Sequence, residues 1–227
     1  MNLARSWTLG GILAALAPAG IAATAADVKA GMDRAAAQFQ RMSASVKRTT
    51  HTAVLNEDNV ESGQVYMRRD AAGAVQGLVE LTNSDHEQKF YAFEKRTLRI
   101  YTPQINTIQV FDLGQHGEQL DQFLSIGFGT SGKELAGGYD VDVAADNTVP
   151  NTTRIKLTPK VADVKQYLTR IDLWITDGNY PIQEKLWEPS GDWILVNYSN
   201  VRINPALSPD VFTLHPAPGA KTEYPQK

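Results

Sequence analysis

The sequence of 227 residues contains no cysteine. This excludes disulfide bonds, thiol nucleophiles and lipid attachment to an N-terminal cysteine. It also has no block of lysine or arginine, and its net charge is −3. An acidic chain of this kind has no electrostatic attraction to nucleic acid or to an anionic membrane. The four histidines lack the spacing of metal ligands, and we expect no metal site. They are His51, His86, His116 and His215.

Long hydrophobic runs are absent as well, apart from one near the N-terminus. It extends from Leu9 to Ala23, and at about 15 residues it is shorter than the ~20 that a membrane-spanning helix needs. Arg5 precedes it, and Ala23-Thr24-Ala25 has the small-x-small pattern of a cleavage site. We therefore predict a signal peptide over residues 1–25 and one exported domain over residues 26–227, in a bacterial periplasm. The alternative is an uncleaved membrane anchor.

Hydrophobic periodicity predicts a β-rich domain with few helices. Apolar residues at steps of three and four favour a helix over residues 27–42, with Asp27 as its N-cap. The period then changes to two, and about ten or more short segments separated by turn residues read as strands, the last at 211–214. A short apolar helix is predicted over residues 120–126, followed by a flexible Gly-rich connector over residues 127–138. This pattern favours a large, curved antiparallel sheet.

Bulky apolar residues on both faces of the later strands leave two interpretations open. Ile171, Leu173 and Ile175 share a face that Trp174 does not. A sheet that is apolar on both faces needs cover on both sides, or one face must cover something else. Either the helices plug the sheet, which the period alone favours, or they form a lid over a hydrophobic cavity that holds a guest.

Three segments resemble the periplasmic outer-membrane lipoprotein carrier family, known as LolA. Residues 63–69 (GQVYMRR) resemble its second strand, and residues 93–103 (FEKRTLRIYTP) are similar to a later hairpin. Residues 157–160 (LTPK), with the strand and turn that follow, resemble its C-terminal half. Two positions differ from the family pattern, since Asp70 replaces a proline and Lys95-Arg96 replaces Gly-Lys. The resemblance covers nearly all of the mature chain.

The resemblance implies an unclosed antiparallel barrel of about 10–11 strands, with an N-terminal helix and a short mid-chain helix over its concave face. It implies a monomeric, cofactor-free carrier of acylated lipoprotein that works between an inner-membrane ABC-type releasing complex and an outer-membrane acceptor. The family's functional arginine falls on Arg69, where a gating role is expected. The mid-chain helix then lies over the cavity, which makes lipid-binding candidates of Leu120, Phe123, Leu124 and Phe128, to which we add Trp174.

No catalytic motif was found, and an enzyme is not expected. The segment 127–133 (GFGTSGK) matches a P-loop except that Glu134 replaces the required Ser or Thr, and no strand precedes it. Asp85-His86-Glu87 is better explained as a solvated turn than as a metal site, because adjacent strand residues point to opposite faces. The alternative function is a periplasmic glycolipid carrier, lipid carrier or sensor module that works with a membrane exporter. A third, a secreted hydrolase, has no motif to support it.

Overall fold

The computed structural model describes residues 23–70, 73–112 and 126–225 of the chain. Its helices are α1 (Ala25–Gln38), α2 (Gly132–Gly138) and α3 (Ala162–Lys165), and two short 3₁₀ helices span Pro103–Ile105 and Pro209–Phe212. The strands are β1 (Arg41–Thr52), β2 (Glu57–Arg69), β3 (Val75–Asn83), β4 (Gln88–Glu94), β5 (Thr97–Thr102), β6 (Thr107–Asp112), β7 (Tyr139–Val143), β8 (Thr152–Pro159), β9 (Arg170–Thr176), β10 (Pro181–Trp187), β11 (Trp193–Ile203) and β12 (Lys221–Glu223). Within these ranges, no helix has the length and apolar character needed to cross a membrane.

All twelve strands belong to one sheet, in the order β12-β6-β5-β4-β3-β2-β1-β11-β10-β9-β8-β7. Every pairing is antiparallel except that of β12 with β6. In the described residues the end strands β12 and β7 do not pair with each other, so the sheet curls without closing. The predicted unclosed barrel with helices is confirmed, with twelve strands in place of ten or eleven.

Helix α1 begins earlier and ends earlier than the sequence pattern predicts. Thr24 is its N-cap, and a capping box joins the Thr24 and Asp27 side chains, so Asp27 occupies the third helical position. The predicted cap at Asp27 is therefore wrong by three residues. The helix ends at Gln38, and Met42 lies in β1, where it begins the alternation that buries Ala44 and Val46. The step from Phe39 to Met42 has helical spacing only by coincidence.

We call the side of the sheet on which α1 packs the inner face. Val28 and Met32 of α1 lie in a core cluster with Ile155, Leu157 and Leu173 of the C-terminal strands. A second cluster covers the inner face of the N-terminal strands. Its fully or nearly buried members are Phe39, Met42, Ala44, Val46, Val65, Met67, Val75, Leu81, Phe93 and Phe128. The inner face thus buries apolar side chains in both halves of the sheet.

The predicted flexible connector over residues 127–138 contains a helix, which corrects that expectation. Ser131 caps α2, and its hydroxyl accepts a hydrogen bond from the Glu134 amide while the Glu134 carboxylate accepts one from the Ser131 amide. Glu134, which replaces the Ser or Thr of a P-loop, is therefore part of a helix cap. The predicted strand at 211–214 is also wrong, because Pro209–Phe212 forms a 3₁₀ helix.

The outer face has its own cover, as apolar residues on both faces require. Near the C-terminus, buried Phe212 packs over β2 and β3, with the Arg68 guanidinium 4.4 Å from its ring centre. On the outer face of the C-terminal strands β8 to β10, cations lie over the tryptophans. The distances to the ring centres are 5.0 Å for Arg154 over Trp174 and 4.6 Å for Arg170 over Trp187. Aromatic rings and the aliphatic stems of these cations shield the sheet from water.

Candidate functional site

The candidate site is the inner face of strands β1 to β5 and the segment that covers it. Met42, Val46 and Met67 point into this region, because residues two apart on a strand share a face. Phe39, just beyond α1, and Phe128, in the loop 126–131, close it from the other side. We call this region the apolar chamber, and in the present structure protein side chains fill it.

The loop 126–131 depends on two glycines to follow its path. Gly127 and Gly129 have φ values of 83° and 79°, a region that residues with a Cβ rarely adopt. The loop also lies close to its neighbours, since a Cβ on Gly129 would come within 2.5 Å of the Phe39 ring. Between the two glycines, the ring of Phe128 meets Tyr198 of β11 edge to face, with centres 5.1 Å apart.

Arg69 connects the end of β2 to that loop. One terminal nitrogen of its guanidinium donates a hydrogen bond to the Gly129 carbonyl at 2.6 Å, and the other donates to the Gly73 carbonyl at 2.9 Å. Its Nε is buried and has no acceptor among the described residues. Arg69 also lines a charged surface cavity of about 320 Å³ at this rim. The arginine therefore stands between solvent and the apolar chamber, and it holds the loop through carbonyl groups.

The structure brings together two of the sequence-predicted site residues and separates a third. Arg69 and Phe128 meet through the loop 126–131, since Arg69 binds the carbonyl of the residue next to Phe128. Trp174 is buried on the outer face of β9, beneath Arg154 and opposite Gln183, so it does not line the chamber. The remaining candidates lie outside the described residues, as does most of the predicted helix over residues 120–126. These candidates are Leu120, Phe123 and Leu124.

Sequence patterns missed a buried ionic group on the inner face of β1 and β2. The Nε of Arg48 donates to a Glu61 carboxylate oxygen at 2.9 Å, and its Nη2 contacts the Tyr91 hydroxyl at 3.2 Å. The guanidinium lies over the Tyr91 ring, 5.2 Å from its centre. Glu61 is only 6% exposed, so this is an ion pair removed from most water. No local sequence signal marks it, because Arg48 and Tyr91 are 43 residues apart.

A second polar pair lies across the chamber on β10 and β11. The Tyr198 hydroxyl donates to a Glu184 carboxylate oxygen at 3.1 Å. Burial raises the pKa of Glu184 to about 7, although the hydrogen bond from Tyr198 opposes the shift. Burial, together with the Glu184 charge, also raises the pKa of Tyr139 to about 12. Near neutral pH, Glu184 is therefore present in both protonation states, next to the tyrosine that packs on Phe128.

We expect Glu184 to make folding stability depend on pH. Its pKa is about 7 in the folded protein against 4.5 for an ordinary glutamate. Between these values the folded chain binds a proton that the unfolded chain releases, so stability falls as pH rises from about 4.5 to about 7. The difference of about 2.5 pKa units corresponds to ~3 kcal/mol. Urea unfolding of wild type and Glu184→Gln across this range measures it.

Between about pH 4.5 and pH 7, the free energy of unfolding of wild type should fall by ~3 kcal/mol relative to that of Glu184→Gln. Above about pH 8 the difference between the two proteins should stay constant. Glu94→Gln, which removes an exposed carboxyl at the end of β4, is the control. If the free energy of unfolding depends on pH in the same way for wild type and Glu184→Gln, the buried carboxyl is not protonated at neutral pH.

The described residues contain no cluster of His, Cys, Asp and Glu that suits a metal ion. In them, the buried polar groups that line or adjoin the chamber include the Arg48 guanidinium, the carboxyls of Glu61 and Glu184, and the hydroxyls of Tyr91 and Tyr198, which are joined in pairs across strands. Chemically, the arrangement offers a large apolar surface with a few hydrogen-bonding groups. Such a surface can bind an apolar molecule that carries a small polar group.

Comparison with solved structures identifies the architecture. An uncharacterized conserved protein from Thermus thermophilus aligns with a TM-score of 0.52 at 10% identity, over 88% of this chain and 98% of its own. MucB aligns with a TM-score of 0.50 at 14% identity, over 84% of this chain and 62% of its own. The LolA superfamily protein NE2245 from Nitrosomonas europaea has a TM-score of 0.44 at 13% identity, over 85% of this chain and 99% of its own. This chain therefore has the fold of the Thermus thermophilus protein and of MucB.

At these identities the similarity shows the fold alone. The sequence itself matches no family model. It also matches no curated protein at a significant level. The resemblance that three short segments predict is therefore confirmed for the fold, and the function of the chain has to be argued from its own residues.

Proposed function

We propose that this protein is a periplasmic carrier that shields the acyl chains of lipoproteins between the inner and the outer membrane. The observation that carries the proposal is the apolar chamber. It consists of an inner sheet face of eight buried apolar side chains, which Phe39 and a loop held by glycines and one arginine cover. Removing each acyl CH₂ from water contributes ~0.8 kcal/mol, so a curved apolar face of this size suits a chain of a dozen carbons or more.

Release of cargo is as important to a carrier as binding. In the present structure Phe39 and Phe128 occupy the chamber, so cargo can enter only where the loop 126–131 moves away. The hydrogen bonds from Arg69 to Gly129 and Gly73 favour the closed loop. A stable closed state lowers the affinity for cargo, because opening it costs free energy. We therefore assign Arg69 the gating role that favours release.

Further parts of the proposal come from the N-terminal sequence pattern and from the resemblance to the LolA family. They are cleavage of residues 1–25, a monomer without cofactor, loading by an inner-membrane ABC-type complex and delivery to an outer-membrane acceptor. The alternative is a LolA-fold glycolipid or lipid carrier, or a sensor module that works with a membrane exporter. MucB, which has a similar fold, has been solved in complex with MucA, so a protein of this fold can bind another protein, as a sensor module would have to.

A binding assay with a matched pair of variants tests the carrier function. The probe is a pyrene-labelled monoacylglycerol, which we expect to bind wild type in a ratio near one. Val196 and Leu195 are adjacent, half-buried residues of β11 that face inward and outward. Val196→Trp fills space beside the chamber and should weaken probe binding by about tenfold, which equals ~1.4 kcal/mol. Leu195→Trp should bind as wild type does.

Both variants are first compared with wild type by thermal unfolding, so that a loss of binding is not a loss of fold. If wild type ignores the probe, or if the two tryptophan variants weaken binding equally, the inner face is ordinary core and the carrier function is refuted.

A further inference from the structure

The polar groups of the inner face are aligned across four neighbouring strands. The pairing register places Glu184 opposite Val196, Val196 opposite Arg48, and Arg48 opposite Glu61. Directly paired residues lie on the same face, and adjacent strands are about 4.8 Å apart, so this line extends about 15 Å. We call Glu184, Arg48 and Glu61, with the hydroxyls of Tyr91 and Tyr198 that contact them, the polar row.

The polar row lies at the border of the apolar chamber. Tyr198 pairs with Val46, and each lies two residues along its strand from the paired Val196 and Arg48. The ring of Tyr198 meets Phe128. Beyond it, Ala44 and Met42 continue the apolar face toward Arg69 and the loop 126–131. An amphipathic molecule with its chains in the chamber therefore has its polar part beside the row.

The row has no cation free to neutralise an anionic ligand. Arg48 already contacts Glu61 and Tyr91, and the row carries two carboxyls against this one guanidinium. In the described strands the other inner-face cations are Lys89 and Lys221, which are exposed on β4 and on the edge strand β12, and Arg69, whose terminal nitrogens donate to carbonyls at the far end of β2. A phosphate beside the row would lose water and meet carboxylates, which costs several kcal/mol for a buried unpaired charge.

We propose that the polar row binds the uncharged, hydrogen-bonding head of an acylated cargo, through its ester, amide or hydroxyl groups, and rejects lipids with a phosphate head. This inference rests on the proposed carrier function and narrows its cargo. The carboxyl and tyrosine hydroxyls supply both donors and acceptors to such a head. Both a lipoprotein, with an acylated amino-terminal residue, and a glycolipid offer this chemistry, whereas an ordinary phospholipid does not.

The test compares two competitors with the same acyl chain and different heads. Monopalmitoylglycerol and palmitoyl-lysophosphatidate displace the pyrene-labelled monoacylglycerol from wild type at pH 7, below their critical micelle concentrations. We expect the uncharged glycerol to compete at least about tenfold better than the phosphate, because of the charge burial that the phosphate requires. Equal competition, or better competition by the phosphate, would overturn the inference. Failure of the probe itself to bind would refute the carrier function instead.

A charge variant gives a second reading of the same selectivity. Glu61→Gln removes the partner that occupies Arg48, so a cation becomes available and the preference against phosphate should shrink by about tenfold. Glu80→Gln makes the same change on the outer face of β3 and should leave the preference as in wild type. Unchanged selectivity in a folded Glu61→Gln variant would show that the row does not contact the head.

Two further competitors distinguish the sources of an uncharged head. A synthetic triacylated cysteinyl peptide represents a lipoprotein, and a diacyl monoglucoside represents a glycolipid. Stronger competition by the peptide places the cargo among lipoproteins, and stronger competition by the glucoside places it among glycolipids. Either result supports the inference, provided that a phosphatidic acid with the same chains competes more weakly; if it competes as well as they do, the inference is overturned.

Discussion

Arg69→Leu should bind acylated cargo more tightly than wild type and release it poorly. The substitution removes two hydrogen bonds from a charged donor to the Gly129 and Gly73 carbonyls, each worth roughly 1.5–3 kcal/mol. Without them the closed loop is less stable, and the equilibrium shifts toward the open, loaded state. We expect the dissociation rate of the pyrene-labelled monoacylglycerol to fall by about 10- to 100-fold, because the free energy of one such hydrogen bond is equivalent to a factor of that size. Stopped-flow dilution into acceptor vesicles measures it.

The neighbouring arginine provides the control for this experiment. Arg68 lies on the outer face of β2, where its guanidinium lies over Phe212 and its Nε donates to Gln76. Arg68→Leu removes the same charge one residue away without touching the loop 126–131. We expect it to release probe at the wild-type rate. If Arg69→Leu releases probe as fast as Arg68→Leu and wild type, Arg69 does not gate the chamber.

The largest loss of stability is expected for Asp172→Ala, on the outer face. Asp172 is fully buried, and one carboxylate oxygen accepts hydrogen bonds from Trp187 at 2.8 Å and Arg170 at 3.1 Å. The same oxygen lies 3.3 Å from Arg154. Removing the carboxylate leaves two neighbouring guanidiniums without the charge between them, and we expect the free energy of unfolding to fall by ~3 kcal/mol. Urea unfolding with an unchanged m-value shows the loss.

Asp140 provides the matched control for Asp172. It lies on the outer face of β7, 68% exposed, and forms an ion pair of 3.5 Å with Lys160. Exposed pairs of this kind contribute about 0–1 kcal/mol, so Asp140→Ala should be close to wild type. A similar small effect for Asp172→Ala would mean that the tryptophans alone, and not the ionic cluster, cover this part of the sheet.

The strands and turns of this fold can be predicted because their signals are local. Asn179 and Gly191 adopt positive φ values in the β9–β10 and β10–β11 turns, where turn residues separate predicted strands. Alternation also places Trp174 opposite to Leu173, as the structure shows. The capping boxes at Thr24 and Ser131 are local signals too. The apolar pattern nevertheless places the start of the first helix at Asp27, and the glycines of residues 127–138 predict a connector in place of α2.

The polar part of the site could not be predicted, because its residues meet through the order and register of the strands in the sheet. Glu184 and Tyr198 belong to adjacent strands, and single-sequence patterns do not fix the register that pairs them. Arg48 reaches Tyr91 across two intervening strands. In the sequence each of these residues resembles a solvated strand position, and only the fold shows that three charged groups share the apolar inner face.

Native mass spectrometry of the protein, isolated from its own cells without detergent, tests the central claim most directly. We expect a complex with one acylated molecule, whose extracted lipid part carries an uncharged head on its chains. A triacylated lipoprotein would establish the proposed cargo, and a glycolipid would establish the alternative carrier. A bare protein that also fails to bind the pyrene-labelled monoacylglycerol would contradict the account, since the chamber would then be an ordinary hydrophobic core.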